Sequence, residues 1–225
     1  FFFQAEDGIR GSPVTGFRRV LFRSQVGALR TDVSTDEITP LPTLLNFDET
    51  LARYAHTGLA IGDDCPVGEN ALVKAGVSVI VAGHRYGKGS SREHSPFAEQ
   101  AAGIQLVVAE SFERIYRQNC DNLGLFTSTD LGLVERIRAG EEISVDELVA
   151  DRDRLAAMIL RAGGLLAFGQ EKLNSATPLE VLDVGPQTLA EKIVSRYALD
   201  IDGLESDLSP GTGGFVRADF RFIIE

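Results

Sequence analysis

Residues 77–109, VSVIVAGHRYGKGSSREHSPFAEQAAGIQLVVA, decide the architecture. Residues 77–82 (VSVIVA) form a β-branched apolar run of the kind buried on both faces of a sheet. A glycine-rich turn follows, then a helix predicted from Ser91 to about Ala102 and stopped by Gly103. Residues 104–109 (IQLVVA) repeat the strand pattern, and a second helix is predicted from Phe112 to about Asn122, with Gly124 as its stop. Strand, helix, strand, helix at this short spacing is the signature of an α/β layer.

Residues 87–94, GKGSSREH, carry the densest chemistry. Gly87 and Gly89 permit a tight turn at positive φ directly after a buried strand. Ser90 and Glu93 stand in the capping-box relation, which predicts that Ser90 opens the helix and Glu93 reaches back to its amide. A helix N-terminus offers unpaired N–H groups and about half a positive charge, suited to a carboxylate or phosphate. Arg92, in the predicted first turn, adds a planar fork that matches a carboxylate. Desolvated in such a pocket, Ser90 or Ser91 can be stabilised as an alkoxide base. The plainer alternative is a well-made helix start without a ligand. Nucleotide readings fail on spacing: a P-loop lysine is followed by Ser or Thr, whereas Lys88 precedes Gly89, and a dinucleotide fingerprint needs glycine where Arg92 stands.

Composition narrows the partners. The 225 residues, 44% hydrophobic and 24% charged, suffice for one full domain plus a part, or two small ones. Twenty-two Lys and Arg against 33 Asp and Glu leave a net charge of −11, so nothing global attracts nucleic acid or anionic lipid. An anionic ligand must be held by local donors. Cys65 and Cys120 cannot build a disulfide framework or a four-thiolate metal site, and they fit a reducing cytoplasm. No apolar run reaches the ~18 residues of a membrane span.

Outside the α/β stretch, residues 131–173 read as mainly helical, with a start at Ser144 and Glu147 and a break at Gly163 and Gly164. Residues 174–178 (NSATP) read as a linker. Thr188 and Glu191 form another capping box before a helix through about Tyr197, and residues 215–224 read as a strand. Residues 1–24 show neither helical nor strand periodicity, and lack the apolar core of a signal peptide. They resemble a translated sequencing-adapter read and are set aside as a non-native leader. With no initiator Met and an end inside an apparent strand, the sequence reads as a fragment.

The string GKGSSREH, followed by Ala98, Gly103, LVVAES, Phe112, Arg114-Ile115, Asn119-Cys120 and Asn122-Leu123-Gly124, resembles the swivel domain of the aconitase and isopropylmalate isomerase superfamily. The family pattern GxGSSREH, helix, strand, S-F-x-R-I, N-C-x-N-x-G is matched in order over residues 87–126. Residues 32–40 (DVSTDEITP) are similar to the family's S/T-T-D-x-I-x-P element, and His56-Thr57-Gly58-Leu59 less specifically to its Arg-Thr-Gly turn. Residues 186–195 (PQTLAEKIVS) and 215–225 resemble the opening of the catalytic large subunit. The resemblance implies an α/β fold: an aconitase-type swivelling β/β/α domain (25–130), a helical extension and linker (131–178), and the truncated start of a second α/β catalytic domain (179–225).

It also implies a hydro-lyase that moves a hydroxyl between adjacent carbons of a di- or tricarboxylate by dehydration and rehydration. Isopropylmalate isomerase is the leading expectation, aconitate hydratase or a related homologue the next. A non-catalytic small-anion-binding module is the alternative of a different class. By motif position Ser90 is the base, Ser91 and Arg92 grip a substrate carboxylate, Asp36 is the swivel-domain acidic residue, and Gly87 and Gly89 shape the loop. Asp36 as a plain turn cap is the competing reading. Glu93 and His94 are expected to be structural, Arg114 to make an internal ion pair, Cys120 to be a packed core thiol, and Arg85 and Lys88 to steer an acidic substrate or simply be solvated. Arg53 is a positional possibility for a second substrate-binding arginine. The family's [4Fe-4S] cluster takes three cysteines of the catalytic domain, including a C-x-x-C pair that this sequence lacks. The chain is therefore expected to hold no metal ligands, to be inactive alone, and to work with a large catalytic domain in the same chain or as a separate subunit.

Overall fold

A central sheet carries the fold, and its parallel part grows from the two apolar runs. In the computed structural model, which describes residues 2–5, 17–20, 29–45, 47–172, 176–178, 187–201, 204 and 213–218, the strands are β1 (Phe2–Ala5), β2 (Phe17–Val20), β3 (Val79–Ala82), β4 (Leu106–Ala109) and β5 (Phe126–Ser128), in the order β2-β1-β3-β4-β5. Strands β3, β4 and β5 are parallel, with Val79 opposite Leu106 and Leu106 opposite Phe126. Residues 1–24, set aside as a leader, contribute β1 and β2, which pair antiparallel with each other and, through β1, with β3. An open sheet edge presents unpaired N–H and C=O groups and takes up extended chain whatever its side-chain periodicity.

The helices are α1 (Thr35–Ile38), α2 (Ala71–Ala75), α3 (His94–Ala101), α4 (Arg114–Leu123), α5 (Gly132–Arg138), α6 (Val145–Leu148), α7 (Arg154–Arg161), α8 (Leu165–Lys172) and α9 (Leu189–Tyr197). Every residue of β3 and β4 is buried, and the two-residue period of a strand sends alternate side chains to two cores. Ile80, Ala82, Val107 and Ala109 join one core with Tyr116 and Cys120 of α4 and Ala98 of α3. Val79, Val81, Leu106, Val108 and Phe126 join the other with Leu133 and Ile137 of α5, Leu148 of α6 and Leu160 of α7. The predicted stops hold: Gly103 and Gly124 have φ of +99° and +82°, Gly163 and Gly164 of +85° and +113°.

In the C-terminal part the described residues make pairings beyond a linker and a lone strand. Thr177–Pro178 (β6) pairs antiparallel with Leu199–Asp200 (β7). Thr188 and Glu191 make the predicted capping box at the start of α9. Ala198 bridges Val216, and Phe215 stacks on Phe168 of α8 with ring centroids 5.6 Å apart. The rest of the predicted strand at 215–224, from residue 219 on, lies outside the described residues, as do residues 173–175 of the linker. No helix among the described residues is long and apolar enough to cross a membrane.

Candidate active site

Strand β3 runs out at Ala82 into the turn holding Gly87 and Gly89, and its parallel neighbour β4 runs out at Ala109 into α4. A crevice beyond the carboxyl ends of adjacent parallel strands is where open α/β sheets bind ligands. Here it is a cleft of about 400 Å³. Thr35, Gly87, Gly89, Ser90, Ser91 and Arg92 line one side, and Glu113, Arg114, Ile115 and Tyr116 of the α4 N-terminal region line the other.

The glycines are dictated by contact. Gly87 has φ of +80°, and a Cβ there would meet Cγ of Tyr116 at 2.1 Å. Gly89, at φ of +114°, passes close to the Thr35 hydroxyl. Backbone bonds then lay the loop along the segment leading into α1. The amides of Gly87 and Lys88 donate to the Val33 carbonyl at 2.9 and 3.0 Å, and the Thr35 amide donates to the Lys88 carbonyl at 2.8 Å. Thr35 Oγ1 donates to the Ser90 carbonyl at 3.2 Å.

This lacing corrects the expected helix start. Held against α1, Ser90 stays non-helical, and α3 begins only at His94, with Glu93 as an N-cap that makes no side-chain capping bond. The Ser90–Glu93 capping box does not form, and Glu93 is exposed. The helix whose first turn faces the cleft is α4. The expected desolvation of Ser90 and Ser91 is absent from this chain too, since both are exposed; Arg92, with a side chain 17% exposed, is largely buried.

A capping box does form one segment away. The Glu37 amide donates to Ser34 Oγ at 3.1 Å, and the Ser34 amide to Glu37 Oε2 at 2.7 Å. Ser34 therefore caps α1, and Asp36 in the first turn is left to pair with the Arg92 guanidinium. So Ser90, Ser91, Arg92, Gly87 and Gly89 share one cleft, and Asp36 joins them through Arg92.

The remaining candidates are placed as follows. Arg85 and Lys88 both face Asp32, Lys88 at 3.9 Å, so part of their charge is answered outside the cleft. Arg53 pairs with Glu69 at 2.8 Å and is not among the residues lining the cleft. His94 packs edge-on against Phe47, centroids 4.8 Å apart; burial, and then the nearby Arg92 charge, hold its pKa below the usual histidine value. Cys120 is sealed in the core, and burial pushes its thiol well above the usual range. Arg114 does not make the expected internal ion pair among the described residues; it is exposed and lines the cleft. Sequence reasoning missed the wall formed by Arg114 and Tyr116. The signal was available: residues 110–113 leave the strand next to β3, so the following helix start had to face the Gly87 turn.

An iron–sulfur cluster does not fit the donors present. Cys65 is exposed and Cys120 buried, and among the described residues no three His, Cys, Asp or Glu side chains are grouped to hold a metal.

Comparison with known proteins bears on the same segment. The family model for the aconitase C-terminal domain matches residues 66–129. The chain is 35% identical over 169 residues to the 3-isopropylmalate dehydratase small subunit of Aquifex aeolicus, covering 68% of this chain and 97% of that protein. It is 33% identical over 170 residues to the isopropylmalate/citramalate isomerase small subunit of Methanocaldococcus jannaschii, covering 69% and 97%. The crystal structure of a 3-isopropylmalate dehydratase from that archaeon aligns at 30% identity over 64% of this chain and 90% of its own, with a TM-score of 0.47. By its match to nearly the full length of such small subunits, the chain belongs to the 3-isopropylmalate dehydratase small-subunit family of the aconitase superfamily.

Proposed function

We propose that this chain supplies the swivel-domain half of a hydro-lyase active site that isomerises a hydroxy di- or tricarboxylic acid by dehydration and rehydration, with 3-isopropylmalate the leading substrate. The observation that carries the reading is the convergence of Ser90, Ser91 and Arg92 on one cleft at the carboxyl ends of β3 and β4, in a chain matching 97% of a dehydratase small subunit. Ser90 Oγ, as alkoxide, takes the proton from the carbon next to a carboxylate. Ser91 and Arg92 hold that carboxylate, with Asp36 fixing the direction of the Arg92 fork. Gly87 and Gly89 give the loop its path.

Ser90 and Ser91 are exposed here, and cations stabilise an alkoxide strongly only where water is excluded. That is a physical reason for a partner: a large catalytic body closing over the cleft desolvates the serines. The Lewis-acid cluster of this chemistry belongs to that body, because the present donors cannot hold it. The swivel unit is taken as residues 25–130, the helical connector as 131–178, and residues 179–225 as the start of the catalytic domain, continued in the same chain or replaced by a separate subunit. A cytoplasmic setting suits the two unpaired thiols.

The test is Ser90→Ala in the enzyme assembled with its catalytic partner. Loss of a positioned base predicts a fall in kcat of about a thousandfold, with substrate affinity within a few-fold of wild type. Unchanged turnover removes Ser90 from the mechanism. The isolated chain should show no turnover.

A further inference from the structure

Beneath the cleft lies a buried carboxylate to which none of these roles refers. Glu99 of α3 is fully buried. Its Oε1 accepts a hydrogen bond from the Tyr86 hydroxyl and lies 2.8 Å from His56 Nε2; its Oε2 accepts from the Tyr116 hydroxyl at 2.5 Å. The Tyr86 hydroxyl is also 3.1 Å from His56 Nε2. Burial pushes both phenols well above their usual range, so both remain protonated donors.

Each partner belongs to a different segment: two of these segments reach the cleft, and the third is bonded to the end of α1. Tyr86 immediately precedes Gly87. Tyr116 lines the cleft and lies so close beneath Gly87 that a Cβ at 87 would meet its ring. The His56 amide donates to the Ile38 carbonyl at 2.7 Å, at the end of the helix that carries Asp36. Glu99 itself sits on α3, which follows Arg92 directly. An apolar side chain could fill this volume without the desolvation cost of a carboxylate. What the carboxylate adds is a set of directional bonds that fixes four segments relative to one another.

We propose that Glu99 is a positioning residue. Through Tyr86, Tyr116 and His56 it sets the Gly87 turn, α1 and the start of α4 against the Ser90–Ser91–Arg92 segment. This rests on the reading of the cleft as the hydro-lyase half-site. Tyr116→Phe is the sharpest variant, because it keeps the ring under Gly87 and removes only the hydroxyl, which bonds Glu99 and also meets Tyr86 and Cys120; Glu99→Gln removes an acceptor for the remaining donors.

In the assembled enzyme both should lower kcat by about ten- to a hundredfold, the scale of a small misplacement of reacting groups, with KM within about threefold. In the chain alone, the amide resonances of Gly89, Ser90 and Ser91 should move in Tyr116→Phe. Ile137→Val, in the core on the opposite sheet face, should lower the melting temperature and leave kcat per folded site unchanged. Wild-type kcat in folded Tyr116→Phe overturns the proposal, whatever the amides do. Should the wild-type assembly lack hydro-lyase turnover, the functional reading fails, and the amides alone decide: movement at 89–91 supports the positioning role, and unmoved resonances overturn it.

Discussion

The two faces of the parallel sheet use the same strands for opposite purposes. On the face packed by α5, α6 and α7, the buried groups from β3, β4 and β5 are Val79, Val81, Leu106, Val108 and Phe126. Their attraction is non-directional, so neighbours can shift slightly without losing much. On the face packed by α3 and α4, the core includes Tyr86 and Tyr116, both bonded to Glu99, with Tyr86 also close to His56, and the tight Gly87–Tyr116 contact lies at its rim. There, direction and distance are fixed. Damage to the first face should be read as lost stability, and damage to the second as lost function at a given stability.

The largest effect expected is from Gly87→Ala. Alanine at φ of +80° costs about 1–2 kcal/mol, and its Cβ must displace a Tyr116 ring tethered through its hydroxyl, an overpacking of about 1–3 kcal/mol. Chemical denaturation should show a loss of roughly 2–5 kcal/mol, and the folded fraction should have lost most of its turnover. A variant that is destabilised yet fully active per folded site would erase the distinction between the faces.

Next is Arg152→Ala, at a buried ion pair remote from the cleft. The Arg152 Nε lies 3.1 Å from both Asp121 carboxylate oxygens, and its guanidinium also reaches the Thr127 carbonyl at 3.2 Å. Removing it leaves Asp121 buried and unpaired, a loss of about 3 kcal/mol, with kcat unchanged in the folded enzyme. Burial already pushes the Asp121 carboxyl up against the opposing pull of Arg152. Without Arg152 the folded-state pKa rises further. Relative to wild type, the deficit is full above that further raised pKa and shrinks as pH falls through it toward the wild-type folded value, because the unfolded state is the same in both proteins. Denaturant midpoints measured across pH 4 to 8 check the slope.

Arg114→Ala probes the far wall of the cleft. The side chain is exposed, so its removal should leave the melting temperature alone. If it adds a second cation for a dicarboxylate, KM rises about tenfold, equivalent to about 1.4 kcal/mol, with kcat little changed. A KM equal to wild type would confine carboxylate recognition to the Ser91–Arg92 side.

Two strands of the sheet, β3 and β4, were legible in the sequence because they are continuous apolar runs, and the helices after them because glycines stop them, a pattern set by local composition. The cleft was legible in kind, through the glycines, serines and Arg92. The Ser90 helix start was not, because the capping-box spacing at Ser90 and Glu93 is satisfied in sequence but overridden by long-range bonds from Val33 and Thr35. Glu99 was hidden for the same kind of reason. Its three partners lie 13 to 43 residues away in sequence, and nothing local distinguishes a buried carboxylate on α3 from a solvated one.

The smallest effect expected is the most discriminating for Asp36. Ser34→Ala removes the side-chain acceptor for the Glu37 amide and should cost about 1 kcal/mol, as for other N-caps. Helix α1 is a single turn, so its start governs where Asp36 stands relative to Arg92. If Asp36 serves only to neutralise Arg92, the flexible pair re-forms after the cap is lost, and kcat falls no further than the folded fraction does. If Asp36 fixes the direction of the Arg92 fork, kcat falls about tenfold or more from a change that stability barely registers, the scale on which misplaced reacting groups act. The Thr35 amide still donates to the Lys88 carbonyl in this variant, so a fall in kcat is traced to the lost cap and not to a detached segment.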